Sequence, residues 1–141
     1  MESIAISLLF AFVHPVHEKR LGELVQEILP GVPISLSHRV LPRAPEFERT
    51  STTVVNAFVG PGVSGYLDRL VERLSGAGYA RDLLVMQSSG GVMTREYLRD
   101  MPIRILASGP AGGVIGGARV GAAKSEEDLL CVDMGGTSYD V

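Results

Sequence analysis

Tryptophan is absent from the 141-residue chain, and cysteine occurs once, at Cys131. A single thiol excludes an internal disulfide, and cytoplasmic residence is the simplest reading of that usage. No cluster of basic residues is present. Lys and Arg total 13 against 16 Asp and Glu, a net charge of -3. So mild an acidity lacks the electrostatic footprint of a nucleic-acid binder. No apolar run is long enough to span a bilayer. The stretch SIAISLLFAFV (residues 3–13) is apolar enough to resemble a signal peptide, but Glu2 stands where a basic region belongs and no small-residue cleavage site follows. It reads instead as a strand buried on both faces, ended by Pro15.

What remains alternates between strand and helix. Pro15 opens a helix with Leu21, Leu24, Val25 and Ile28 as its apolar stripe, and Pro30-Gly31 stops it. VPISLSHRVL alternates as a strand whose start, at Pro33, lies near a sheet edge. Pro42 and Pro45 mark a loop. EFERTSTTVVNAFV then begins a long helical region whose Thr and Val content calls for tertiary burial. GPG at Gly60, Pro61 and Gly62 is expected to break or kink it. The helix resumes with Leu67, Leu70, Val71 and Leu74, and Gly76 or Gly78 caps it. LLVMQ is a short buried strand, SSGG (residues 88–91) a tight loop, and TREYLRDM a brief helix with Thr94 as N-cap. Residues 103–106 form a short strand. Pro110 starts a helix rich in glycine, each destabilising by about 1 kcal/mol relative to alanine. Such a helix needs a close neighbour against its backbone. LLCVD is a buried strand leading into MGGTSYD. The pattern is an α/β fold.

The chemistry gathers at that end. In Asp-x-Gly-Gly-Thr-Ser, Gly135 and Gly136 let successive N–H groups face an anion, and Thr137 and Ser138 add hydroxyl donors. Asp133 is suited to holding a hydrated metal ion or orienting a water. A plain hairpin turn is the equal alternative on this motif alone. Elsewhere, His14 and His17 lack the third ligand that zinc requires. His38 reads as a surface or loop histidine, and Glu18, Glu46 and Glu48 as solvated helix ends. Arg49 reads either as a contact to substrate or phosphate, or as a helix-cap or interdomain residue. Cys131 reads as a small buried hydrophobe.

A glycine-rich helix one strand ahead of Asp-x-Gly-Gly-Thr resembles the actin-like ATPase superfamily. The blocks HPVHEKR (residues 14–20), ERTSTTVVNAFVGP (48–61), LLVMQSSGGVMT (83–94), SGPAGGVIGGA (108–118) and DMGGTSYDV (133–141) sharpen this. In that order they resemble the middle of the hydantoinase A / 5-oxoprolinase / acetone carboxylase family. The resemblance implies a partial actin-like (ribonuclease H-like) architecture. Residues 1–49 would close an N-terminal domain and residues 50–141 would open the actin-like domain, leaving an incomplete sheet at the C-terminus. It implies an ATP- and Mg2+-dependent hydrolase that activates the carbonyl of a cyclic amide such as a hydantoin or 5-oxoproline. A B-type subunit and the remainder of the same polypeptide are the implied partners. Asp133, Gly135, Gly136, Thr137 and Ser138 would form the second phosphate hairpin. Gly109, Gly112 and Gly113 would lie near the nucleotide cleft, and residues 88–91 match a family glycine loop.

Tyr139 departs from the family's small residue, and Ser89 departs mildly. The first phosphate motif would lie upstream of Met1 and the adenosine segment downstream of Val141. The chain alone, lacking one lobe, is expected to have no ATPase activity. The competing reading is a non-catalytic truncated paralogue that binds nucleotide or a partner. A third is a decayed or split gene product.

Overall fold

A computed structural model describes residues 2–141. They form two compact units, one of residues 2–81 with Glu96–Ile103, the other of Asp82–Arg95 with Arg104–Val141.

The first unit opens with a β-α-β step. Strand β1 (Ile4–Ile6) pairs in parallel with β2 (Ile34–Leu36), Ile4 opposite Ile34 and Ile6 opposite Leu36. A parallel pair needs a crossover, and helix α1 (Val16–Ile28) supplies it. Gly31, at φ +87°, turns the chain out of α1 as Pro30-Gly31 predicts. The strand expected over residues 3–13 is only three residues long. Beyond it, residues 8–14 close in turns, with Ala11 and Val13 donating to the carbonyls of Leu8 and Phe10. Leu9, Phe10 and Val13 are exposed. The expected strand after Pro33 also ends early, because Ser37–Val40 is helical (α2).

The stripe proposed for α1 is not its buried face. Leu21 and Ile28 are exposed, whereas Glu18 and Gly22 are buried. Leu36 packs over Gly22, where an added Cβ would meet its methyls at 3.2 Å.

Helix α3 (Glu46–Gly76) runs through Pro61 without the expected break. Its N-terminal half is inverted. Arg49, Thr53, Asn56, Ala57 and Gly60 form the buried stripe at helical spacing, while Phe47 and Phe58 are each 81% exposed. The Thr53 hydroxyl donates to the Arg49 carbonyl at 2.6 Å, which satisfies it inside the helix. Asn56 ties the unit together. Its amide donates to Ser35 Oγ and the Asp100 carbonyl, and its Oδ1 accepts from the Ile103 N–H. Leu67 is the buried apolar anchor of the second half. The helix ends as its glycines predict. Gly78 lies at φ +86°, Tyr79 N–H reaches the Leu74 carbonyl and Gly78 N–H the Ser75 carbonyl.

In the second unit, β3 (Leu84–Met86) and β4 (Val92–Thr94) form an antiparallel hairpin around Gly90 and Gly91, both at positive φ. β3 is therefore a hairpin arm with Leu84 exposed, not a buried strand. Thr94 ends β4 and directly precedes α4 (Arg95–Asp100), whose residues from Glu96 onward belong to the first unit. The strand expected at 103–106 is a 3-10 turn, Pro102–Ile105. There the Arg104 carbonyl accepts from the N–H and hydroxyl of Ser88, leaving no ladder to join.

Helix α5 (Ser108–Ala122) carries the glycines and has Pro110 in its first turn. The final elements are β5 (Asp133–Met134) and β6 (Tyr139–Asp140), an antiparallel pair. The expected strand over 129–132 does not form, and those residues join none of the sheets. Their side chains alternate, Leu129 and Cys131 turning onto α5 while Leu130 stays 78% exposed. Among the described residues the sheets number three, each two-stranded, in a mixed α/β arrangement. No helix among the described residues is long and apolar enough to cross a membrane.

Candidate functional site

The β5–β6 hairpin places Asp133 directly opposite Asp140, and Met134 opposite Tyr139. The incomplete C-terminal sheet implied by the resemblance is this two-stranded pair, with Tyr139–Asp140 returning against Asp133–Met134. Gly135 N–H donates to the Ser138 carbonyl at 3.0 Å and closes the turn. That donor is spent inside the turn. A Cβ on Gly136 would touch nothing within 4 Å, and one on Gly135 only the Ser138 carbonyl at 3.8 Å. The backbone here is open to close approach. Ser138 Oγ lies 3.2 Å from Asp140 Oδ2, and every residue of the turn is exposed. An open, exposed turn with two glycines and two hydroxyls is compatible with a phosphate. Among the described residues, no group of three His, Cys, Asp or Glu side chains forms a metal cage. A cation here would be held by one or two aspartates and water, which suits Mg2+.

Asp140 was not singled out from sequence. The signal was available, because a four-residue turn after Met134 brings it across from Asp133. Like charges directly opposite are destabilising unless something neutralises them.

A cleft of about 460 Å³ adjoins the hairpin. Gly113, Gly117 and Gly121 of α5 line one side, and Leu129, Cys131 and Asp133 the other. The glycines have the close neighbour expected of them, but at particular positions. An added Cβ at Gly117 would lie 2.5 Å from Cys131 Sγ, and one at Gly121 would collide with Leu129. Gly113 and Asp133 thus share a cleft, whereas Gly109 and Gly112 do not line it. A Cβ at Gly109 or Gly113 would meet nothing, and one at Gly112 would meet Met86 at 3.8 Å. The chain enters α5 through Ala107 at φ +59°, a left-handed conformation uncommon outside glycine.

Residues 49–141 match the hydantoinase/oxoprolinase family. The chain belongs to that family. Its fold superposes on the crystal structure of the ATP-dependent caprolactamase of Pseudomonas jessenii with a TM-score of 0.84, at 33% identity over 97% of this chain. A nucleotide-free acetone carboxylase structure gives a TM-score of 0.79 at 30% identity over 98% of it. The 5-oxoprolinase of Saccharomyces cerevisiae is 35% identical over 145 residues. The chain spans 20% of the caprolactamase alpha subunit's length and 11% of the yeast oxoprolinase's.

The first unit of this family member holds a polar assembly that sequence reasoning missed. Glu18 is fully buried, not solvated. Its Oε1 accepts from Leu8 N–H at 3.0 Å and Ser37 Oγ at 2.7 Å, and its Oε2 from His38 N–H at 2.9 Å. His38 Nδ1 lies 2.5 Å from the same Oε2. An ionised carboxylate only accepts, so that nitrogen carries the proton. His38 is therefore nearly enclosed, not a loop histidine. Burial pushes the Glu18 carboxyl upward, but the donors from His38, Ser37 and Leu8 outweigh it and hold the group below its ordinary value. Arg49 is also fully buried. It donates to Ser37 Oγ and to the carbonyls of Arg43 and Leu8, pairs with Glu46, and lies over the Phe12 ring at 5.2 Å. Most partners in this assembly lie far apart in sequence, and Glu46–Arg49, three residues apart, is its local pair.

Proposed function

We propose that this chain is the central part of an ATP-dependent enzyme that opens a cyclic amide, and that the β5–β6 turn is one wall of its nucleotide site. The open, exposed Gly135–Ser138 turn beside Asp133 carries the reading, together with the ATP dependence of the caprolactamase and acetone carboxylase relatives. Gly136, Thr137 and Ser138 contact phosphate, with Gly135 shaping the turn. Asp133 holds hydrated Mg2+ or orients water, and Asp140 supports it. Gly109, Gly112 and Gly113 lie near the nucleotide on α5. The architecture is actin-like, with residues 1–49 ending an N-terminal domain and 50–141 beginning the ATPase domain. Bound Mg·ATP supplies the phosphoryl group that activates the amide carbonyl. The chain's own part is to fix the phosphates and the cation. The enzyme works in the cytoplasm, with the remainder of its polypeptide and a B-type subunit as partners. The alpha-subunit name of the caprolactamase relative supports the last point.

The test is Mg2+-dependent ATP turnover, stimulated by a cyclic amide, in the whole enzyme. Asp133→Asn is expected to lower turnover by about a hundredfold or more, with folding intact. Unchanged turnover would remove Asp133 from the site. ATP binding without turnover in the whole enzyme would instead favour a second reading, a non-catalytic module that binds nucleotide or a partner.

A further inference from the structure

The 8–13 loop is fastened by its backbone to ionisable side chains. Leu8 donates its N–H to Glu18 Oε1, and its carbonyl accepts from Arg49 Nη2, both at 3.0 Å. Phe10 N–H donates to Glu46 Oε1 at 3.2 Å. Within the loop, Phe10 sits at φ +56°, a left-handed conformation that a bulky residue keeps only where its surroundings hold it. Ser37 Oγ joins the two buried charges, donating to Glu18 and accepting from Arg49 at 3.2 Å. The rest of the unit is tied separately. The β1–β2 ladder is backbone to backbone, and Asn56 binds Ser35, Asp100 and Ile103 without touching this clamp.

We propose that the 8–13 loop is a releasable strap, held shut by the Glu18–Ser37–Arg49 clamp and freed when Glu18 loses its charge, while β1, β2 and α3 stay folded. The charged and titratable groups facing Glu18 are His38 from α2 and, through Ser37, Arg49 from α3, with Glu46 beyond it. A protonated Glu18 keeps at most part of its four acceptor contacts. A proton on Oε1 costs Leu8 N–H its acceptor, and the loop is then held by the weaker set of Arg49 on the Leu8 carbonyl and Glu46 on Phe10 N–H. Opening uncovers the Phe12 ring and frees the Arg49 donor that the Leu8 carbonyl occupied.

Hydrogen–deuterium exchange on the intact chain tests this. At neutral pH, Glu18→Gln is expected to speed exchange of peptides covering 8–13 by about tenfold or more, with α3 peptides unchanged. The wild-type chain should show the same selective loosening in acid, after correction for intrinsic exchange. Loop exchange unaltered in E18Q would overturn the proposal. So would loop and α3 exchanging together, which would make the clamp part of the global fold. Should E18Q not fold, the acid series on the wild-type chain carries the same two outcomes.

Discussion

At the scale of single residues, Glu18 decides more than its position on a helix implies. A carboxylate removed from water is tolerated only when its lone pairs are met, and here four donors meet them. The consequence for stability has a definite sign. The group is held below its ordinary value in the folded chain, so it contributes stability above the unfolded carboxylate's pKa, and that contribution is lost as pH falls through the lowered value. Glu18→Gln removes the titration. The stability gap between wild type and E18Q, read from urea unfolding midpoints, is expected to be widest near neutral pH and to shrink below about pH 4.5. A gap that stays constant, or grows, on acidification would mean that the carboxylate is not ionised in the cluster. None of this was readable in the sequence. Ser37 is 19 residues from Glu18, and Leu8 is 41 from Arg49. Hydrogen bonds across such separations leave no periodic trace.

At the scale of elements, helices were easier to read than strands. Proline and glycine punctuate the helices by fixing φ or allowing it to be positive, and that physics is local. Hence Pro15 with Gly31, Gly78, and Pro110 mark their helices as expected, whereas Pro61 lies inside an unbroken α3. An apolar run has no such local meaning. Residues 3–13, 83–87 and 129–132 all read as buried strands, yet they are largely turn, hairpin arm and chain outside the sheets, respectively. Apolarity says only that a side chain prefers to leave water, not what it pairs with. The turn at Gly135–Ser138 was readable because two adjacent glycines flanked by strand formers have few other uses, whereas the identity of its cross-strand partner, Asp140, needed the register. Helix α5 offers the sharpest test at this scale, because its glycines are not equivalent. Gly116 has nothing within 4 Å of an added Cβ, so Gly116→Ala is expected to stabilise by about 1 kcal/mol through helix propensity. Gly121→Ala meets Leu129 and the Glu126 carbonyl, and is expected to destabilise by about 1–3 kcal/mol. Thermal or urea unfolding of the two variants checks both signs. In the whole enzyme, a loss on Gly116→Ala would reveal a further surface packed on α5.

At the scale of the whole molecule, the distribution of apolar surface is the governing fact. In the first unit, Phe47, Val54 and Phe58 are exposed at spacings of seven and four along α3, one face of the helix, while the opposite face buries polar side chains. In the second unit, Val114, Val120, Leu129, Leu130 and Val132 are all exposed and line a single cleft. Scattered exposed hydrophobes need no account, but surfaces gathered in this way mark places where something packs. The alternative is that the cleft is too shallow or too wet to hold an apolar guest. A dye that fluoresces in apolar surroundings separates these. The isolated chain is expected to bind it while keeping its far-ultraviolet helical signal, which excludes unfolding as the source. Leu130→Glu, at a side chain already 78% exposed, is expected to leave unfolding stability within about 0.5 kcal/mol and to cut dye fluorescence. If the variant binds dye as the wild type does, the apolar guest lies elsewhere and the α3 face, probed by Phe58→Glu, becomes the surface to test.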